Sequence, residues 1–395
     1  MYFSAFFIFL LIHYKLYAAV DALPLAWDAL PCNDIFLKTP FLKSLEQATP
    51  KNITSFYLAI FKAEKLVGIA HLQRVQIYLD DVFRRASNNS LKQIAKQLIS
   101  KIVRGNALVV GNLMHTGQHG MFFLEEYISQ TDFLNTIQEG LETLSARIKK
   151  EYNKKIRIIA FKDYFEDDTI HNHVAFFKKQ HLYKVQVQPN MLFSILNVWK
   201  TTDDYVSSFN KKYRRRYKTA RKKASALTCK ELSEHFINTN NDRIFELYET
   251  VSDNARINSF KLPKNHFLAL KQHLKENFKV FGYFLNKELV GFYTLILNNT
   301  ILETYFLGYD KALQKRHHMY LNMLFNMASF GIEHAFKTIV YARTAMEIKS
   351  SIGAKPNTMH VYVKHTNNFM ANTVLKFIVR NINPIQKWEE RHPFK

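Results

Sequence analysis

The chain has 395 residues, a hydrophobic fraction of 47% and a formal net charge of +22 at pH 7. This length predicts two domains that each bury a core, and the hydrophobic fraction excludes a disordered chain. The two cysteines, Cys32 and Cys229, are too few for a disulfide framework or a cysteine-based zinc site. They favour a cytoplasmic setting, with membrane association left open, and the excess of Lys and Arg favours polyanionic partners.

The N-terminal segment, residues 1–20, opens with an apolar run over residues 1–12. The run is shorter than the ~20 residues of a membrane-spanning helix, and no basic residue precedes it as in an export signal. Two interpretations stay open. The run is an extension before the true start or a helix that packs or grazes a membrane, or it is a genuine signal or anchor.

The next segment, residues 21–197, is predicted to be the first domain. Strand-like runs at 56–61 and 66–72 form a hairpin, and an amphipathic helix over 91–102 precedes a short buried strand at 107–110. A loop with three glycines, a long helix over 133–148, a strand at 156–161 and extended residues at 183–195 complete this domain.

The second domain is predicted over residues 198–395. It opens with a very basic amphipathic helix, Lys211 to Lys223, and two further helices follow around Leu247 and from Phe267 to Leu274. A hairpin of strands at 278–283 and 289–297, a strand at 300–307, a helix and a strand at 338–344 then repeat the order of the first domain. Alternating strands and helices predict an α/β (α+β) mixed sheet with helices on both faces in each half.

The repeat carries a shared hairpin motif. The first hairpin reads Glu-Lys-Leu-Val-Gly at residues 64–68, and the second reads Lys-Glu-Leu-Val-Gly at 287–291. Together with the strand at 301–307, the Gly-Tyr-Asp turn at 308–310 and the segment 343–354, these motifs resemble the GNAT superfamily of N-acyltransferases. The resemblance is closest to its tandem-domain branch, which includes the peptidoglycan aminoacyltransferases (FemAB-like) and the BioF-type acetyltransferase-like domain.

This resemblance implies two tandem GNAT-like domains, of which the second carries the donor site and the first is degenerate. It also implies direct transfer of an acyl group from acyl-CoA (acetyl-CoA), or of an aminoacyl group from aminoacyl-tRNA, to an acceptor amine. The acceptor would be a small molecule or a cell-wall precursor. The stretch that matches the pyrophosphate loop, residues 314–320, contains no glycine, so Lys315 and Arg316 are the residues predicted to hold phosphate. A non-catalytic binding module on the same scaffold stays open as an alternative.

Candidate catalytic residues follow from spacing on the second domain's strands. Glu303 and Tyr305 lie two residues apart on one strand and therefore project to the same face, where Glu303 is predicted as base and Tyr305 as acid. Arg343 follows a strand end and is predicted to clamp a carboxylate or phosphate. Thr344 and Lys349 are predicted to bind the acyl donor.

Three further predictions concern ligands. Asn254 and Arg256 are predicted to bind the acceptor. The basic helix over 211–223 is predicted to contact tRNA or an anionic membrane surface, because Lys and Arg neutralise phosphates without reading sequence. No metal site is predicted, because no carboxylate or cysteine in a recognisable spacing completes the histidine pairs at 115 and 119 or at 171 and 173.

Overall fold

The computed structural model describes residues 12–77, 105–254, 260–366, 369–381 and 388–395. The chain divides into two compact units. The first comprises Met1–Val187, Arg256–Leu262 and Met359–Ile385, and the second comprises Gln188–Ala255, Pro263–Thr358 and Gln386–Lys395. The domain boundary predicted between residues 197 and 198 stays a prediction. No helix in the described ranges combines the length and apolarity needed to cross a membrane.

The first unit is built on a mixed sheet in the order β1-β2-β3-β4-β6-β13, with β5 paired to β3. Its strands are β1 (Ile12–Tyr17), β2 (Ile53–Lys62), β3 (Lys65–Ile77), β4 (Gly105–Val110), β5 (Met121–Phe123), β6 (Ile156–Phe165) and, from Met359 onward, β13 (Lys355–His365). Its helices are α1 (Ala26–Ala29), α2 (Thr39–Gln47), α3 (Gln130–Tyr152), α4 (Val174–Lys179) and α13 (Phe369–Asn381). The apolar face of α3 packs on this sheet through Phe133, Ile137, Leu141, Leu144 and Ile148.

The second unit has the sheet order β7-β12-β11-β10-β9-β8. Its strands are, from Gln188 onward, β7 (Tyr183–Ser194), then β8 (Thr228–Glu231), β9 (Phe278–Leu285), β10 (Glu288–Asn298), β11 (Ile301–Tyr309) and β12 (Thr338–Val340). Its helices are α5 (Thr202–Ser208), α6 (Lys211–Lys223), α7 (Glu234–Thr239), α8 (Asn241–Ser252), α9 (His266–Leu274), α10 (Lys311–His317), α11 (Met319–Glu333) and α12 (Met346–Ser350).

The predicted repeat of strands and helices is confirmed. In the first unit β2, β3 and β4 pair antiparallel in succession, and β4 pairs parallel with β6 after the crossover that contains α3. In the second unit β9, β10 and β11 pair in the same way, and β11 pairs parallel with β12 after the crossover that contains α11. The two units therefore share one topology.

Three details differ from the sequence predictions. Residues 12–17, predicted as the end of an apolar segment, form a strand that pairs with β2. The strand β13 was not predicted. The strand predicted over 338–344 ends at Val340, because the left-handed residue Ala342 interrupts the extended conformation. The whole helix predicted over 91–102, and residues 1–11, lie outside the described residues.

Candidate active site

The second unit contains a pair of neighbouring parallel strands that part. β11 runs for nine residues, but only Ile301, Leu302 and Glu303 pair with β12, opposite Thr338, Ile339 and Val340. β11 continues to Tyr309 without this neighbour, while the chain after Val340 stays beside β7, where Tyr341 N–H donates to the Met191 carbonyl and Met191 N–H donates to the Ala342 carbonyl. A cleft therefore opens from the Glu303–Val340 pair, at the C-terminal ends of two parallel strands, where α/β sheets commonly bind ligands.

A β-bulge lies on β11 just beyond this point. Across to β10, Thr304 faces Leu295 and Leu307 faces Tyr293, so that Tyr305 and Phe306 share a single partner position at Thr294. The Thr294 hydroxyl donates a hydrogen bond of 2.7 Å to the Phe306 carbonyl. Because a bulge changes the direction of side chains and interrupts pairing, it fixes how β11 presents its residues to the cleft.

The bulge sends Tyr305 towards the helix α9. The Tyr305 hydroxyl lies 3.0 Å from Nε2 of His266, and the two rings are stacked with centroids 5.8 Å apart. The His266 ring also meets Phe306 edge-on. Burial raises the pKa of Tyr305 well above its usual value, so the phenol is neutral at physiological pH. Sequence reasoning missed His266, since it begins an apolar helix and belongs to no motif.

Glu303 lies on the same face as Tyr305, as predicted. Leu302 belongs to the core cluster that includes α11, and side chains alternate along a strand, so Glu303 and Tyr305 project to the opposite side. The Glu303 side chain is buried, with 1% of the residue exposed.

The segment after β12 has an unusual backbone. Ala342, Thr344 and Ala345 have φ values of 57°, 76° and 47°. Left-handed conformations are unfavourable for residues with a Cβ atom and concentrate at functional sites. Within this segment Arg343 is partly buried, and burial lowers its pKa to about 10, so it keeps its positive charge at neutral pH. Thr344 is exposed.

The side chain of Lys349 holds the backbone of this segment through hydrogen bonds. The residue is 5% exposed, and its ammonium donates hydrogen bonds to three successive carbonyls: those of Tyr341, Ala342 at 3.3 Å and Arg343 at 3.0 Å. Burial lowers the pKa of Lys349 to about 7. The side chain predicted to bind the donor therefore holds the Arg343 loop in shape, and donor binding by Lys349 itself stays a prediction.

The stretch predicted to be a glycine-poor phosphate loop, residues 314–320, is not a loop. Its first part belongs to α10, which ends at His317, and α11 begins at Met319. The single residue between them, His318, is left-handed with φ of 48°. The two helices therefore meet at a single residue, without a glycine-rich turn.

Positive charge surrounds this start of α11. Lys223 Nζ lies 3.1 Å from Nε2 of His318, and the pKa of His318 is lowered by burial, by Lys223 and by Arg216. Lys315 and Arg316 are exposed in the last turn of α10. Free amides at a helix N-terminus attract anions, and the neighbouring cations add to that attraction.

The basic helix predicted over 211–223 is confirmed with these bounds as α6. Nine of its thirteen residues are Lys or Arg, while Tyr213 and Ala220 are buried. Within the described part of the chain none of these cations forms an ion pair. Asn322 on α11 donates to the carbonyls of Ala220, His317 and His318, which fixes the end of α6 against the start of α11.

Of the two residues predicted to bind the acceptor, Arg256 lies outside the described residues. Asn254 is exposed at the end of α8, donates to the Thr250 carbonyl and accepts from Lys311 Nζ at 3.5 Å. It lies beside the start of α10, and its role stays a prediction. α8 itself approaches β11 closely, since a Cβ atom on Gly308 would lie 2.4 Å from the Leu247 carbonyl carbon.

The first unit differs at the equivalent strands. β4 pairs with β6 over Asn106 to Val110, its last residue, so no opening forms along β4. This unit holds a histidine cluster instead: His115 and His119 lie with ring centroids 5.0 Å apart, and Nδ1 of His119 lies 2.8 Å from the Asp34 carboxylate. Burial raises the pKa of Asp34, but the attraction of His119 outweighs it and the pKa is lowered. The prediction that no metal binds here stays a prediction.

Part of the chain matches a known family, and the fold is similar to that of solved structures. Residues 211–350 match the family described as Acetyltransferase (GNAT) domain. The structure is similar to that of FemX, with a TM-score of 0.53 and 10% identity over 92% of this chain and 100% of that chain. A tandem GNAT protein from the clavulanic acid biosynthesis pathway matches with a TM-score of 0.49 and 8% identity over 90% of this chain and 98% of that chain.

L-PGS from Bacillus licheniformis matches with a TM-score of 0.46 and 10% identity, over 86% of this chain and 95% of that chain. No curated protein sequence matches significantly. Together with the repeated topology, the GNAT match confirms the predicted fold of two tandem GNAT-like domains, and the FemX likeness extends over nearly the whole chain.

Proposed function

We propose that this chain, whose residues 211–350 form a GNAT acetyltransferase domain, moves an acyl group from acyl-CoA directly to an acceptor amine. The observation that carries the proposal is the parting of β11 and β12 after the Glu303–Val340 pair. In this cleft the extended arm of acyl-CoA would lie along the unpaired edge of β11. The thioester carbonyl, placed at the bulge, would accept hydrogen bonds from the backbone there. Preorganised donors of this kind stabilise the developing oxyanion.

Glu303 and Tyr305 supply the proton transfers. The acceptor nitrogen must lose a proton before it attacks, and Glu303 accepts that proton. The neutral amine then forms a bond to the carbonyl carbon and gives its second proton to water, the carbon–sulfur bond breaks, and Tyr305 gives its proton to the departing thiolate. His266, 3.0 Å from the Tyr305 hydroxyl, orients the phenol and is the route by which it regains a proton.

The donor's phosphates are assigned to the start of α11. The free amides of this 15-residue helix, together with Lys315, Arg316 and Lys223, provide the cations and donors that a pyrophosphate needs. Arg343, held in place through Lys349, is suited to a carboxylate or phosphate because its guanidinium forms two parallel hydrogen bonds. These residues fit acyl-CoA without a glycine-rich loop.

A second donor is favoured by one specific observation. The nine cations of α6 form no ion pair with any described residue, and the helix ends beside the start of α11. A polyanion much longer than CoA would contact the cations of α6 as well as the start of α11, so aminoacyl-tRNA is the alternative donor. In that case the acceptor is an amine on a cell-wall precursor, and the ester of the charged tRNA takes the place of the thioester.

The test is a pair of donor assays on the full chain. Release of free thiol from acetyl-CoA is measured with a panel of small amines, and transfer from charged tRNA is measured with a peptide amine. We expect acetyl-CoA activity that Glu303→Gln lowers at least 100-fold, within the typical range for a lost general base. Activity with charged tRNA alone selects the alternative donor.

The control is Glu288→Gln, which removes an exposed carboxylate from the hairpin of the same unit and is expected to leave the rate unchanged. Full activity in both Glu303→Gln and Arg343→Ala, with intact folding by circular dichroism, contradicts the assigned site. Absence of transfer from either donor, to any amine, supports the non-catalytic binding module instead.

A further inference from the structure

A cavity in the first unit has no part in the proposed reaction. Its volume is about 480 Å³, and it lies among α3, β6, β13 and α13. Cavities of roughly 300 to 1,000 Å³ typically hold small molecules. All the residues that line it belong to the first unit, so the inference does not rest on acyl transfer in the second unit.

One wall of the cavity is lined by polar side chains of α3. Gln138 and Glu142 lie one turn apart on α3, and Nε2 of Gln138 donates to Oε1 of Glu142 at 2.7 Å. This bond fixes the amide, because the reversed orientation would turn the amide oxygen against a carboxylate oxygen. Oε1 of Gln138 is then buried without a hydrogen-bond partner among the described residues, in a side chain whose residue is 3% exposed. Because this oxygen is buried, the carboxylate of Glu142 is the acceptor that this wall offers to a ligand.

The opposite wall carries a positive charge. Lys364 of β13 lines the cavity, and its only polar contact within the described residues is a long one of 3.5 Å to Gln180 Oε1. Burial lowers the pKa of Lys364, while Glu142 raises it. The two charges therefore influence each other across the cavity without forming an ion pair. Ile156 and Ile159 supply apolar surface in the same cavity.

We infer that this cavity binds a small apolar zwitterion, an α-amino acid or a dipeptide with aliphatic side chains. The ligand's ammonium meets Glu142, its carboxylate meets Lys364, and its side chain contacts Ile156 and Ile159. A simple anion is disfavoured by Glu142. A simple cation is disfavoured by Lys364, and a wholly apolar ligand leaves both charged groups without a partner in the ligand.

Calorimetric titration of the full chain tests each charge separately. The probes are L-leucine, L-leucyl-L-leucine, leucinamide, which lacks the carboxylate, and N-acetyl-leucine, which lacks the ammonium. The wild-type protein is expected to bind leucine or the dipeptide at least tenfold more tightly than either blocked analogue. Whichever of L-leucine and L-leucyl-L-leucine binds more tightly shows whether the ligand is an amino acid or a dipeptide.

Two variants assign the charges. In Lys364→Met, leucine and leucinamide are expected to bind equally, and in Glu142→Gln, leucine and N-acetyl-leucine are expected to bind equally. Lys178→Met and Glu139→Gln, both at exposed positions, are controls that should retain the wild-type preference. Thermal melting verifies that each variant folds. The inference is overturned when no probe binds the wild-type protein, or when both cavity variants discriminate as it does.

Discussion

Glu303 pairs with Val340 at the last position where β11 and β12 run side by side. The carboxylate is thereby placed at the vertex of the cleft, and the bulge two residues later turns Tyr305 towards His266. One strand thus carries both residues for which we propose proton transfer, at a cleft whose other wall begins at the Arg343 loop.

The first prediction concerns the pair of Tyr305 and His266. Tyr305→Phe removes the hydroxyl that lies 3.0 Å from Nε2 of His266 but keeps the ring, so packing should survive. We expect kcat to fall by about 10- to 100-fold with little change in KM, since a lost acid affects the chemical step more than binding. Steady-state kinetics with the donor found active measures both constants.

The matched control is Tyr309→Phe on the same strand. Tyr309 packs against the cluster on the opposite face, so its phenol does not point towards His266. Its kcat should stay within about twofold of the wild-type value, as expected for a surface-like change away from the reaction. Equal losses in both variants would show that the tyrosines act through packing, and the role of Tyr305 as acid would be wrong.

The second prediction separates Arg343 from a generic positive charge. Arg343→Lys keeps the charge but loses the planar fork that forms two parallel hydrogen bonds. We expect the lysine variant to recover less than a tenth of the wild-type kcat/KM, a loss of about 1.4 kcal/mol or more in transition-state binding. Complete rescue by lysine would mean that only charge is needed, and a bidentate contact with the donor or acceptor would be contradicted.

Part of this site was readable from the sequence and part was not. The hairpin motifs and the order of elements fixed the topology, and the run of cations with tyrosines at helical spacing predicted α6 with its exact bounds. The pairing limit at Glu303, the bulge and the contact with His266 were not predictable. Each depends on which residues meet across the sheet, and a single sequence does not contain that register.

Lys349 shows why residue type alone is a poor guide to role. A lysine after a strand end suggests a phosphate ligand, and the spacing is the same whether the ammonium points to solvent or into the protein. The tertiary fold decides the outcome, because the short helix α12 turns the side chain under the loop, where three carbonyls need a donor. Similarly, the glycine-free stretch at 314–320 matches a loop by its sequence, but in the structure it forms the end of α10 and the start of α11.

The third prediction uses the lowered pKa of Lys349. A lysine with a folded pKa of about 7 binds fewer protons in the folded than in the unfolded protein between about pH 7 and its ordinary pKa of 10.5. The free energy of unfolding therefore rises with pH across this window, by at most about 1.4 kcal/mol per pH unit from this group. Below pH 7 both states are protonated and the contribution is constant.

Urea unfolding at pH 7, 8 and 9 measures the effect. Lys349→Met should be destabilised at pH 7, because three carbonyls lose their donor, and its stability should rise less steeply with pH than that of the wild-type protein. Lys337→Met, a lysine outside the buried core of the same unit, is the control and should follow the wild-type slope. Parallel slopes in Lys349→Met and wild type would contradict a neutralising, buried lysine.

The fourth prediction concerns the basic helix α6. Replacing the exposed Arg215, Lys218 and Lys222 with Gln removes three charges and keeps a good helix-forming side chain at each position. If the helix neutralises phosphates, binding of tRNA that carries no amino acid weakens, and the slope of log K against log salt becomes shallower by about two to three.

The control replaces Lys154, Lys155 and Lys178, three exposed lysines of the first unit, and removes the same net charge. Fluorescence titrations at four salt concentrations supply both slopes. Equal effects of the two triple variants would mean that tRNA binding depends on the overall net charge of +22 and not on α6 in particular. If the α6 variant lost binding to anionic vesicles but kept its binding to tRNA, the partner of α6 would be a membrane surface and not a nucleic acid.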